Sequence, residues 1–194
     1  MLYIASHNQD KVREFEILFH HQGISVQALP EKLPAAPEGA RSFAANAVEK
    51  AIFYSEHVND WVLADDSGLC VDKLFGAPGV LSARYAGEPS NTQANNKKLL
   101  ESLAGVPWAE RTARFICVLA LWDPNGRGWL AQGEVKGIIT MSPFGENGFG
   151  YDPLFYLPSK GQTFGQMTAK TKHSLSHRAM AVRELLRTWK GVAQ

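Results

Sequence analysis

The chain has 194 residues, of which 45% are hydrophobic and 20% are charged, the composition of an ordinary globular protein. This length suits a single domain with a substantial core. Twenty basic residues stand against 19 acidic ones, which gives a formal net charge of +1. Partnership with a nucleic acid or a membrane surface needs clustered basic charge, so we expect neither. An anionic ligand must be bound by a few well-placed cations.

The two cysteines, Cys70 and Cys117, lie in apolar runs and are expected to be buried, reduced thiols. The first residues lack the basic and apolar regions of a signal peptide. No apolar stretch approaches the roughly 20 residues of a membrane span. The sequence therefore predicts a protein of the cytoplasm.

The hydrophobic pattern alternates strands and helices along the chain. In order, it predicts a strand at Leu2–Ala5, a helix at Lys11–Phe19, a loop at Leu29–Gly39, a helix from Ser42 as N-cap to about His57, a strand at Trp61–Ala64, a helix at Asn91–Leu103, strands at Phe115–Trp122 and Trp129–Ile139, and a last helix at Leu175–Trp189. We expect a mixed α/β fold, a single domain over residues 1–194, with a long mixed sheet and flanking helices. The strand at Phe115–Trp122 is nearly continuous in apolar residues and should be central.

The segment SHNQDK at residues 6–11 lies directly between the first predicted strand and the first helix. A helix start offers backbone N–H groups and a partial positive charge, which suit a phosphate. Ser6 and Asn8 could add hydrogen bonds, and Lys11 a full charge. The spacing is not that of a Walker A loop. The alternative interpretation is a capped helix with a surface lysine.

Two adjacent carboxylates, Asp65 and Asp66, follow the apolar run that ends at Ala64. Neighbouring strand residues point to opposite faces, so only one should face a given site. Mg²⁺ prefers oxygen ligands and is usually held by one or two carboxylates plus phosphates. Glu38, in the loop before a helix, is a second candidate ligand. The alternative is an Asp-Ser-Gly turn.

Two later segments also carry candidate binding groups. Three glycines surround Phe149 and Tyr151 in GENGFGYDP at residues 145–153, so the backbone could approach a ligand while a ring stacks on a base; the alternative is a hairpin with both rings in the core. Lys172, His177 and Arg178 lead into the last predicted helix. Cations are unfavourable in a helix's first turn, so these residues suggest an anionic or oxygen-rich ligand.

Together these segments resemble the inosine-triphosphate pyrophosphatase family, also called Ham1-like or RdgB-like, over essentially the whole chain. SHNQDK at 6–11 is similar to the family's T-G-N-x-x-K, and Glu38 with SFAANA at 42–47 and Lys50 to its E-x-G-x-[ST]-F-x-E-N-A-x-x-K. ADDSGL at 64–69, GAPGV at 76–80 and SARY at 82–85 match a further motif, as do GFGYDP at 148–153 and SHR at 176–178. Each motif is weak alone, but all of them in order are very specific.

The resemblance implies a two-lobed α/β fold with the nucleotide in a cleft between lobes, a homodimer, and Mg²⁺-dependent cleavage of ITP, dITP or XTP to the monophosphate and pyrophosphate. Glu38 and Asp66 would hold Mg²⁺, and Asp66 would also act on the attacking water. Phe149 would stack on the purine, near Lys172, His177 and Arg178. The full set of implied substrate-binding residues is Ser6, His7, Asn8, Gln9, Asp10, Lys11, Lys50, Ser67, Phe149, Gly150, Tyr151, Asp152, Lys172, His177 and Arg178.

The chain departs from the family pattern at two positions. His7 replaces a glycine of the phosphate loop, and Ala45 replaces a glutamate that would complete a capping box with Ser42. Because Ser42 can still cap, the second change should alter stability only slightly. Two other functions stay open: a Maf-like pyrophosphatase acting on modified or pyrimidine nucleotides, and a catalytically silent nucleotide-binding protein.

Overall fold

The computed structural model describes residues 1–6, 8–37, 39 and 42–190. Within these residues lie seven strands: β1 (Leu2–Ala5), β2 (Val26–Ala28), β3 (Trp61–Val71), β4 (Thr112–Trp122), β5 (Gly128–Ile139), β6 (Phe155–Leu157) and β7 (Gln162–Thr163). The same residues form five α-helices: α1 (Gln9–His20), α2 (Phe43–Val58), α3 (Thr92–Ser102), α4 (Ala169–Leu175) and α5 (His177–Lys190). No helix in this described part of the chain is long and apolar enough to cross a membrane.

The strands form one mixed sheet in the order β2-β1-β3-β4-β5-β6-β7. Strand β1 runs parallel to β2 and β3, with Leu2 opposite both Val26 and Trp61. Parallel neighbours need crossover connections, and α1 and α2 supply them. Strand β6 pairs antiparallel with β5 and β7. The predicted mixed α/β class is confirmed.

Two elements differ from their predicted bounds. Strand β3 does not stop at Ala64 but continues to Val71, because apolar Leu69 and Val71 resume burial after the polar residues. The last helix is two helices, separated at Ser176, which is extended (φ −68°, ψ 157°). The first of them, α4, begins at the N-cap Thr168. It is short and has no apolar stripe, so periodicity could not predict it.

The chain divides into two compact units. Unit 1 comprises Met1–Asp66, Cys117–Gly133 and His177–Gln194, and unit 2 comprises Ser67–Ile116 and Glu134–Ser176. The core of unit 1 includes Phe15, Phe19 and Leu185, and that of unit 2 includes Phe155 and Phe164. Each unit therefore has its own apolar core. Fully burying one such side chain contributes about 1.5–3 kcal/mol to the stability of the fold.

Helix α1 positions the first candidate segment by packing its apolar stripe into the core of unit 1. Val12, Phe15, Leu18 and Phe19 are buried, at the spacing that the sequence predicted. The helix begins at Gln9 rather than Lys11, because Asn8 is its N-cap. Lys11 therefore lies in the first helical turn.

Candidate active site

The adjacent aspartates lie in the middle of β3, not at its end as predicted. Neighbouring residues of a strand point to opposite faces, and the two side chains differ in burial accordingly. Asp65 is 2% exposed, whereas Asp66 is half-buried. Both belong to unit 1, and half-buried Ser67 is the first residue of unit 2.

Asp65 is paired with the lysine of the first candidate segment. Lys11 Nζ donates a hydrogen bond to Asp65 Oδ2 at 2.9 Å. Burial alone raises the pKa of Asp65. The positive charges of Lys11, Arg178 and Lys50 outweigh burial and lower that pKa to about 2. Asp65 is therefore ionised at neutral pH and fixes the Lys11 side chain.

Asp66 has a different environment and the opposite shift. Its Oδ2 accepts a hydrogen bond from Asn46 Nδ2 at 2.8 Å. Burial raises the pKa of Asp66; the Asn46 bond and then the charges of Lys11 and Lys50 oppose burial, and the net result lies above the ordinary value of 3.8. A carboxylate with a raised pKa accepts a proton near neutral pH better than a freely solvated one.

Helix α2 brings two polar side chains to the aspartates. Asn46 and Lys50 are four residues apart and so lie on one helix face. Lys50 Nζ donates to the backbone oxygen of Asp65 at 3.2 Å. The helix starts as expected, because Ser42 Oγ accepts from the backbone N–H of Ala45 at 3.2 Å. The cap thus survives the loss of the family's glutamate at position 45.

The loop between β1 and α1 is held by its own side chains. Asn8 Oδ1 accepts from the N–H groups of Asp10 and Lys11 at 2.9 and 3.2 Å, and Ser6 Oγ accepts from the N–H of Asn8 at 3.2 Å. Three backbone N–H groups at this helix start, those of Asn8, Asp10 and Lys11, therefore already donate to neighbouring side chains. Gln9 and Asp10 are exposed, and His7 lies outside the described residues.

The start of α5 also belongs to unit 1. His177 and Arg178 are buried, at 2% and 4% exposure. Arg178 Nη1 donates to Glu14 Oε2 at 3.1 Å, and both partners of this ion pair are buried. Glu14 lies one turn after Lys11 on α1. One face of the helix therefore makes two ion pairs, Lys11 with Asp65 and Glu14 with Arg178.

The glycine-rich segment forms a separate cluster within unit 2. Asp152 Oδ2 accepts hydrogen bonds from the Phe149 N–H at 2.8 Å and from Lys172 Nζ at 2.6 Å. Lys172 Nζ also stands 4.5 Å from the centroid of the Phe149 ring. Gly148 (φ +76°) is required here, since a Cβ would come within 2.0 Å of Asp152 Oδ2.

The two aromatic residues of this segment differ. Tyr151 is buried and donates its hydroxyl to Ser82 O at 2.7 Å, as the core interpretation predicted. Phe149 is only half-buried. The Gly150 carbonyl between them accepts from Asn96 Nδ2 at 3.1 Å. Lys172 lies in the last turn of α4, where the helix dipole favours cations, rather than in a first turn as the sequence suggested.

The half-buried carboxylate of Asp66 fits a divalent cation such as Mg²⁺. Within the described part of the chain no group of three or more His, Cys, Asp or Glu could hold a metal. Mg²⁺ typically uses one or two protein carboxylates and completes its shell with phosphates and water. Glu38, the other predicted ligand, lies outside the described residues.

Sequence reasoning missed two residues of unit 1. Asn46 was overlooked although it stands four residues before Lys50, a spacing that places both on one helix face. Glu14 was overlooked because no sequence signal marks a partner so distant as Arg178. Its position among the apolar residues of α1 was the available clue, since a charge at a core position needs a partner.

Asp66, a half-buried carboxylate of raised pKa on β3 with Lys11 and Lys50 nearby, suits a hydrolase of phosphate anhydrides. Comparison with known proteins gives the family. The chain matches the model of the Ham1 family over residues 2–188, and it belongs to that family.

Relatives and solved structures cover nearly the whole chain. The dITP/XTP pyrophosphatase of Shouchella clausii (strain KSM-K16) is 48% identical over 193 residues, 98% of this chain and 97% of that protein. That of Geobacillus kaustophilus (strain HTA426) is 46% identical over 194 residues, 98% and 95% of the two chains. The structure of the Staphylococcus aureus Ham1 protein superposes with a TM-score of 0.87 at 38% identity, covering 98% of each chain.

Proposed function

We propose that this chain is a Mg²⁺-dependent nucleoside-triphosphate pyrophosphatase that hydrolyses noncanonical purine nucleotides, ITP, dITP and XTP, to the monophosphate and pyrophosphate. The observation that carries the proposal is the setting of Asp66, a half-buried carboxylate of raised pKa beside two lysines. The relatives named dITP/XTP pyrophosphatase support the substrate class.

The triphosphate is bound by the lysines of unit 1. An ammonium group has three N–H donors, so Lys11 can hold Asp65 and still donate to a phosphate oxygen. Lys50 adds a second positive charge from α2. Ser6 and Asn8 complete the loop beside Lys11. Two cations near a triphosphate lower the electrostatic cost of bringing a nucleophile to the α-phosphorus.

Asp66 and Glu38 would hold Mg²⁺, which supplies charge neutralisation for the phosphates when bound. The reaction step itself uses Asp66 as general base. A water molecule gives one proton to the Asp66 carboxylate while its oxygen forms a bond to the α-phosphorus. The bond from that phosphorus to the oxygen bridging to the β-phosphorus breaks, and pyrophosphate leaves with the electron pair.

Phe149 and Lys172 recognise the base. A purine stacked on an aromatic ring gains about 1–3 kcal/mol. Hypoxanthine and xanthine carry an acceptor at O6 where adenine carries an amino donor, so N–H donors select against adenine by leaving it mismatched. Lys172 is a donor fixed beside the ring. His177 and Arg178 are further donors implied by the family motif.

Three further properties stay predictions. The family resemblance implies a homodimer, which sedimentation equilibrium would detect. A location in the cytoplasm agrees with two buried free cysteines, Cys70 and Cys117. A net charge of +1 gives no reason to expect nucleic-acid binding.

The test of the proposed function is turnover of the purified protein on ITP, dITP, XTP, ATP, GTP and UTP, with pyrophosphate and orthophosphate measured separately. We expect pyrophosphate, released mainly from the first three. A chelator should stop turnover and added Mg²⁺ restore it. Orthophosphate as product would indicate a phosphatase, preference for UTP a Maf-like enzyme, and nucleotide binding without turnover a silent binding protein.

A further inference from the structure

Asn46 makes a contact that its place in a helix does not require. Its backbone N–H donates to Ser42 O at 3.0 Å, as helix geometry demands. The side chain, however, does not turn back to the local backbone. Instead Nδ2 reaches β3 and donates to Asp66 Oδ2 at 2.8 Å. Asparagine is not a strong helix former, so its presence here suits a role outside the helix.

The partner of this amide fixes its orientation. An ionised carboxylate only accepts hydrogen bonds, so the amide NH₂ must face Asp66 and the amide oxygen must point away from it. That oxygen, Oδ1, is buried and makes no hydrogen bond to any residue that the structure describes. Among the described residues, the Asn46 side chain is therefore held through its nitrogen, by the Asp66 carboxylate.

We propose that Asn46 is a positioning residue of the hydrolytic reaction, fixing the orientation of the Asp66 carboxylate through Nδ2. This inference rests on the proposed function, in which Asp66 is the general base. Asn46 takes no proton itself. Its effect is to reduce the number of orientations that the Asp66 carboxylate samples before reaction.

The first experiment compares Asn46→Ala with Glu49→Ala. Glu49 is exposed on the same helix, so its variant controls for a change of α2 itself. For Asn46→Ala we expect kcat on ITP to fall about 10- to 100-fold, the usual cost of losing a residue that orients a catalytic group. Binding of a non-hydrolysable ITP analogue, measured by calorimetry, should stay close to wild type, and Glu49→Ala should match wild type in both. Asn46→Ala with wild-type kcat, or with a loss that appears only as weaker analogue binding, would overturn the inference.

The second experiment tests the contact between Asn46 and Asp66. Asn46→Asp alone places two carboxylates face to face and should lower Tm. Combining it with Asp66→Asn restores one amide and one carboxylate in exchanged positions, so Tm should recover while turnover stays lost. Recovery of turnover in the exchanged variant, or no recovery of Tm, would contradict the geometry.

Asp66→Asn alone distinguishes failure of this inference from failure of the proposed function. If that variant keeps turnover within a few-fold of wild type, Asp66 is not the base and the proposed mechanism fails whatever Asn46 does. If it loses turnover while Asn46→Ala behaves as Glu49→Ala does, only the role of Asn46 is refuted.

Discussion

Asp65 should contribute to the stability of the fold as an ionised group, and its replacement by asparagine measures that contribution. Lowering a pKa by one unit corresponds to about 1.4 kcal/mol. The fall from 3.8 to about 2 therefore corresponds to about 2 kcal/mol in the free energy of unfolding. Asp65 is 2% exposed, so solvent screening reduces this value little.

The pH dependence of this stabilisation follows from the direction of the pKa shift of Asp65. Because the folded pKa lies below the unfolded one, the stabilisation is fully present above about pH 4 and is lost as pH falls towards about 2. Asp65→Asn has no such group to titrate. The stability difference between wild type and variant should therefore narrow by about 2 kcal/mol between about pH 5 and pH 2, with roughly half gone by about pH 3.

Urea unfolding followed by tryptophan fluorescence, in the presence of a chelator, gives this difference at each pH. Asp60→Asn is the matched control. The pKa of Asp60 is also lowered, first by a hydrogen bond from the amino terminus and then by one from the Trp61 N–H, but the ion pair is exposed and its contribution should weaken in 1 M salt. The difference in free energy of unfolding between wild type and Asp65→Asn should neither stay constant with pH nor be abolished by salt. Either result would refute a stabilising role for the buried Lys11–Asp65 pair.

Three further predictions follow from the other contacts. Phe149→Leu should raise KM for ITP about 5- to 150-fold with kcat little changed, because a stacked ring contributes about 1–3 kcal/mol. Phe149→Tyr should stay near wild type, and steady-state kinetics on both variants tests this. Lys172→Met should lower the free energy of unfolding by about 3–5 kcal/mol because it leaves Asp152 buried without its cation, and adding Asp152→Asn should recover most of the loss in urea unfolding. Arg178→Ala, made with Glu14→Gln so that no carboxylate is left unpaired, should lower the ratio of kcat/KM for ITP to that for ATP relative to Glu14→Gln alone. An unchanged ratio would place base selection on other residues.

Much of the fold could be predicted because its helices and long strands follow a regular period. The stripe of α1, the cap of α2 and the start of α3 at Asn91 needed only local spacing. The short strands β2, β6 and β7 could not be predicted, since two or three residues carry no period. The extension of β3 was missed because polar residues in a strand resemble a turn when their partners are unknown.

Candidate residues were easier to name than to place. The motif residues Lys11, Lys50 and Asp66 were predicted from the sequence, and the structure brings all three into unit 1. The ion pair between Glu14 and Arg178 joins positions 164 apart in the chain. Such a pairing depends on tertiary packing alone, which no local pattern encodes.

The pair of aspartates shows why the missing information is physical rather than statistical. Asp65 and Asp66 are the same residue type, adjacent in the chain and under the charges of the same two lysines. Their pKa values nevertheless move in opposite directions. Asp65 accepts a direct bond from Lys11 and has Arg178 nearby, and these positive charges outweigh complete burial. Asp66 accepts a hydrogen bond from the neutral amide of Asn46 and also feels the negative charge of Asp65. One carboxylate is thereby fixed as a permanent anion that holds a lysine, and the other is left able to exchange a proton. The alternation of the strand points the two side chains to opposite faces. Lys11 of α1 then contacts Asp65, and Asn46 of α2 contacts Asp66.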